Sequence, residues 1–78
     1  MGNKNNMKKT VSELIYEYLK KNRRFVFGGE LERNISNFHK PSYVSRELRR
    51  MAEEDLIYKD YRKVDGKRVV VYRYKKHA

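Results

Sequence analysis

The stretch VSRELRRMAEEDLI, residues 44–57, decides how the chain folds. Val44, Leu48, Met51 and Ala52 fall on one side of a helical wheel, and Ser42, Arg46, Arg49, Arg50 and Glu53 fall on the other. That is the pattern of a helix with one side on a core and the other in water. It predicts a helix from about Ser42 to Glu54. Pro41 fits just before this helix or in its first turn, where a missing amide costs nothing, and Ser42 is an alternative cap. Asp55 ends the helix by tolerating the left-handed conformation that glycine more often fills there. Immediately after it, Leu56 and Ile57 open a β-prone run.

Working outward from this stretch toward the C-terminus, residues 56–62 and 67–74 are rich in valine, isoleucine and tyrosine, and Asp65-Gly66 stands between them. An Asp-Gly pair between two such runs is a strong signal for a two-residue hairpin turn. With Val64 opposite Lys67, the register places Arg62 opposite Val69, Tyr61 opposite Val70, Lys59 opposite Tyr72 and Ile57 opposite Tyr74. Ile57, Tyr61, Val70, Tyr72 and Tyr74 then share the face expected to cover the helices. Tyr58, Asp60, Val69, Val71 and Arg73 share the other.

Toward the N-terminus, Asn37, His39, Lys40 and Pro41 are turn chemistry, and residues 30–35 (ELERNI) read as a short helix with Leu31 and Ile35 inward. Phe38 is expected to close the same cluster. Phe25, Val26 and Phe27, ended by Gly28 and Gly29, form a run long enough only to add one strand to a sheet made elsewhere. Before it, Thr10 and Glu13 have the spacing of a capping box. Val11, Leu14, Ile15, Tyr18 and Leu19 follow as one apolar stripe, with Lys20, Lys21, Arg23 and Arg24 gathered at the helix end that favours cations. Residues 1–8 (MGNKNNMK) lack periodicity and read as a flexible basic arm, leaving residues 9–76 as one domain.

Composition narrows the chemistry. The 78 residues carry 20 Lys and Arg against 10 Asp and Glu, a formal charge of +10. A domain this short buries roughly 60% of the surface its unfolded chain exposes, enough for one core. No cysteine is present, so disulfides and thiol chemistry are excluded. No apolar run approaches the roughly 18 residues that would span a bilayer, and the chain is expected to be intracellular, in the cytoplasm, away from membranes. His39 and His77 have no second ligand at useful spacing, so no metal and no other cofactor is expected. Glu53, Glu54 and Asp55 cluster at a helix end without a pocket to shift their ionisation, so catalysis is not expected either.

The order of helix, short strand, short helix, turn, helix and two-stranded hairpin gives an α+β domain in which the hairpin leans on three helices. The segment GGELERNISNFHKPSYVSRELRRMAEEDLIYKDYR followed by VDGKRVVVYRY, residues 28–62 and 64–74, resembles the winged helix-turn-helix domains of bacterial and archaeal transcription regulators. The similarity spans roughly residues 10–75. VSRELRRMAEEDLI resembles a recognition helix running into the first wing strand; where that family commonly has glycine before the Leu-Ile step, this chain has Asp55. Its compactness and its lysine and tyrosine content are similar to small regulators of archaea and their viruses. The resemblance implies a winged-helix fold and binding to double-stranded DNA.

The residues agree with that expectation. A helix about 10–12 Å across fits the major groove of B-form DNA, about 12 Å wide, whereas the major groove of A-form RNA is too narrow. Ser42, Tyr43, Ser45 and Arg46 are the candidates for base readout, and Arg49 and Arg50 for bases or phosphates. Lys40 before the helix and Lys63, Lys67 and Arg68 around the Asp65-Gly66 turn are candidates for backbone or minor-groove contact. Competing with these roles are ion pairs along one helix: Arg50 with Glu54 and Arg49 with Glu53 are neighbours at i+4. Tail lysines 4, 8, 9, 75 and 76 would add affinity without discrimination. Tyr16, Val69 and Val71 are candidate contacts for a homodimer, and no small-molecule effector site is visible. An RNA-binding winged helix of a ribonucleoprotein and a protein-interaction winged helix are the alternatives.

Overall fold

The computed structural model describes residues 9–35 and 39–76. Helix α1 (Val11–Asn22) begins at the expected capping box. The Thr10 hydroxyl accepts the Glu13 amide at 3.2 Å, and Glu13 accepts the Thr10 amide at 2.9 Å, so two otherwise orphaned donors are satisfied by one pair. The helix ends on Arg23, whose φ of 53° is left-handed. Strand β1 (Val26–Phe27) follows, and helix α2 (Gly28–Ile35) starts without a loop between them. The expected strand therefore loses Phe25, and the two glycines are the first turn of a helix. Gly28 is buried: a Cβ there would lie 3.4 Å from the Tyr72 ring, an ordinary contact distance, so α2 starts packed directly against the sheet.

Helix α3 (Pro41–Glu53) has Pro41 in its first turn and Lys40 as its cap residue, with no side-chain cap hydrogen bond. Ser42 is thus inside the helix and not its cap. Proline disfavours helical geometry in the residue before it, which holds Lys40 at φ −62°, ψ 142°. At the other end Asp55 has φ 62°, as expected. The Leu56 amide donates to Met51 O at 2.8 Å and the Asp55 amide to Ala52 O at 3.1 Å, the crossed pair of bonds that a left-handed residue allows.

Strands β2 (Ile57–Val64) and β3 (Lys67–Tyr74) pair antiparallel in the register set by the turn, from Ile57 opposite Tyr74 to Val64 opposite Lys67. Asp65 and Gly66 have φ of 52° and 79°, the two positive values that a type I′ turn needs. The sheet order is β1-β3-β2, with Val26 opposite Tyr72 and Phe27 opposite Val71. Ile15, Leu19, Val26, Leu31, Ile35, Val44, Leu48, Met51, Ile57 and Tyr72 form the core. These elements are the three helices and three-stranded sheet of an α+β winged helix.

Two expectations about the sheet change. Tyr61 shares its face with Ile57 and Tyr72 but is 45% exposed, because the helices end before the hairpin does. Val71, expected on an exposed face as a contact between copies, is 2% exposed. β3 is the central strand, and its outward residues are flanked on both sides, Val71 by Phe27 and Asp60. Tyr16 and Val69 are half-buried, and the Tyr16 ring meets Tyr74 edge-on at 6.4 Å. The expected packing of Phe38 and the arm of residues 1–8 lie outside the described residues. No helix among the described residues is long and apolar enough to cross a membrane.

Candidate nucleic-acid interface

Helix α3 lies across the molecule with its apolar side, Val44, Leu48 and Met51, buried. Its burial fixes which residues face outward: Ser42, Tyr43, Arg46, Arg49 and Arg50 are exposed, Tyr43 by 52%, and Ser45 is half-buried. The start of the helix is set against α1, since His39 Nε2 donates to the Lys9 carbonyl at 3.2 Å. α2 is tied to α1 by a contact the sequence reading missed. The Tyr18 hydroxyl donates to Glu30 at 2.6 Å, and Arg24 donates to the same carboxylate at 2.8 Å. Arg24 first, and then Tyr18, hold the Glu30 carboxyl below the usual carboxylate range. By periodicity Tyr18 belongs to the apolar stripe of α1; a tyrosine on such a stripe with a glutamate at the start of the next helix is the signal for this contact.

The cations of α3 divide into two groups. Arg50 is held by Glu47 and by Glu54, the latter at 2.7 Å, which raises its already high pKa further and lowers that of Glu47. It lies on the flank toward α1, near enough to oppose the effect of burial on the Tyr16 phenol. Arg46 and Arg49 form no ion pair among the described residues. The expected Arg50–Glu54 pair is present, and an Arg49–Glu53 pair is not. The first turn of α3 carries no acidic residue and no side-chain cap, so its dipole and free amide favour an anion there.

The hairpin continues this cationic surface. Lys63, Lys67 and Arg68 are exposed around the turn, as the composition of the tip implied. Arg68 is not free to wander: its guanidinium lies 4.1 Å from the centre of the Tyr61 ring, and Lys59 Nζ approaches the same ring at 5.5 Å. Cations over an aromatic face are attracted by its quadrupole. Hydrogen bonding by Lys59, aided by Arg68, also lowers the pKa of the Tyr61 phenol. Arg49 joins this group from the helix side, because burial raises the pKa of Tyr72 and both Lys59 and Arg49 oppose it. Lys59, Tyr61 and Arg68 thus line the inner side of the hairpin beside α3, a cluster visible only once the uncovered length of the hairpin is known.

The chain is similar to Stf76 from the Sulfolobus islandicus plasmid-virus pSSVx. The two share 26% sequence identity and superpose with a TM-score of 0.69 over 90% of this chain and 87% of that one. The likeness agrees with the small archaeal or viral type read from the sequence. No protein-family model and no curated protein matches the chain. Among the described residues no group of three or more metal-ligating side chains comes together.

Proposed function

We propose that the protein is a sequence-specific double-stranded DNA-binding protein that regulates transcription, with α3 in the major groove and the hairpin tip on the flanking backbone or minor groove. The observation that carries this reading is the division of cations on α3. Arg50 is held by two carboxylates, whereas Arg46 and Arg49 stand exposed and, among the described residues, without ion pairs beside a cationic hairpin. A guanidinium in that state presents its fork to a guanine edge or a phosphate without first breaking a pair. Ser42, Tyr43, Ser45 and Arg46 then read bases, Arg49 reaches a base or the nearer phosphate, and Lys40, Lys63, Lys67 and Arg68 position the backbone. Arg50 stiffens the helix instead. The likeness to Stf76 supports the fold on which this reading stands.

Neutralising roughly 4 to 6 phosphates per protomer makes log K fall against log salt with a slope of about −4 to −5. Fluorescence anisotropy on a duplex selected from a random pool measures it; a slope near zero overturns the proposal. On the same duplex Arg46→Ala is expected to weaken binding by about 1–3 kcal/mol and to relax sequence preference, while Lys67→Ala weakens all duplexes alike. Equal affinity for duplex RNA would favour a ribonucleoprotein role.

A further inference from the structure

A second cationic site lies away from α3. Lys20 and Arg23 at the end of α1, with Arg73, Tyr74 and Lys76 at the end of β3, line an open cleft of about 470 Å³. Ligand clefts commonly measure roughly 300–1,000 Å³. The turn of the hairpin lies at the other end of β3, about 25 Å away at the rise of a strand. The first turn of α3 lies beside the opposite end of α1, about 18 Å away at the rise of a helix. The cleft is therefore distinct from the interface described above.

Its composition is one-sided. Four cations and no carboxylate of the described residues line it, and the ion pairs of the described residues take Lys9, Arg24, Arg50 and Lys75 but none of these four. The carboxylates of the neighbouring groove, Glu13 and Glu17, are occupied by Thr10 and Lys9. Like charges gathered together repel, and the negative end of the α1 dipole offsets part of that for Lys20 and Arg23. Two of the four are further distinguished. The Arg73 guanidinium lies 5.7 Å from the centre of the Phe25 ring, within reach of its quadrupole, and Arg23 occupies a left-handed backbone position at which a side chain is unfavourable and glycine is usual.

We infer that this cleft is a second phosphate-binding site, taking the phosphates of a nucleotide. Two guanidinium forks and two ammonium groups suit a group with several charged oxygens, and the aromatic wall of Tyr74 suits the remainder of a nucleotide. The source is either a free nucleoside triphosphate or the backbone of a second nucleic-acid segment.

Titration of the full 78-residue chain with inorganic pyrophosphate, followed by amide NMR, is expected to give saturable shifts confined to residues 20–24 and 73–76. The variant Lys20→Gln/Arg23→Gly should weaken them about tenfold or more; glycine fits the backbone at 23, and unchanged core shifts report that the fold survives. Lys76→Gln, beyond the last strand, is the second variant and should also weaken binding. Shifts that do not saturate, that spread over every cationic surface, or that both variants leave unchanged overturn the proposal. Two further arms separate the sources. Saturation by a nucleoside triphosphate, with no duplex retained by Arg46→Ala/Arg49→Ala, assigns a free nucleotide. Duplex retained by that variant, and lost when Lys20→Gln/Arg23→Gly is added, assigns a second segment. Loss of α3 binding in Arg46→Ala bears on the proposed function alone, because no cleft residue is altered.

Discussion

Arg23 shows how much can ride on one residue. Its left-handed backbone is unfavourable for an arginine by roughly 1 kcal/mol, so Arg23→Gly is expected to raise the stability of the protein by about 0.5–1 kcal/mol. Urea denaturation checks this as a higher midpoint at unchanged slope, and a lower midpoint would mean that the side chain stabilises the fold by contacts. Glu30 sets a second expectation, in acid. Because Arg24 and Tyr18 depress its ionisation in the folded chain, it binds a proton less readily there than in the unfolded chain. The stability it adds is complete above about pH 4.3, the ordinary glutamate value, and is lost as the pH falls through its lower folded value. Denaturation midpoints should be level near neutral pH and fall below about pH 4, and Glu30→Gln should flatten that fall. An identical acid profile in the variant would remove Glu30 from the account. Neither residue was legible in this way: the sequence placed Arg23 among helix-end cations and Glu30 in a first turn, and only the meeting of α1 with α2 joins Glu30 to Tyr18.

At the scale of elements, local chemistry was read well. The Thr10–Glu13 box starts α1, Asp55 ends α3, and Asp65-Gly66 fixes the register of all eight pairs between β2 and β3. Each of these is a rule about a few adjacent residues. What failed depended on neighbours distant in sequence: Gly28 begins α2 packed against the Tyr72 ring of β3, and Val71 is buried because β1 joins the other side of β3. The hairpin gives the test at this scale. Gly66 has φ of 79° with open space around it, so Gly66→Ala acts through the backbone alone. It should destabilise the protein by about 1–2 kcal/mol, seen as a lower thermal midpoint, and amide exchange should rise first at residues 63–68. A midpoint equal to that of the parent would remove the I′ turn as the determinant of the hairpin.

Across the whole molecule, the candidate interface was partly legible. The outward side of α3 followed from periodicity, but which of its arginines are committed to carboxylates did not, since Arg46, Arg49 and Arg50 look alike on a wheel. The cleft was not legible at all, because it exists only where the ends of α1 and β3 meet. The described chain measures 44 Å in its longest dimension, and that length carries a further consequence. In the proposed complex, at 3.4 Å per base pair, it would span about 13 base pairs of duplex, and one helix would read about three or four of them. A four-letter word recurs by chance about once in 256 positions, far too often to single out one locus among the 10⁶ or more that a genome offers. Under the proposed function, several copies reading adjacent words would supply the information for a unique address, and a small genome would lighten that demand.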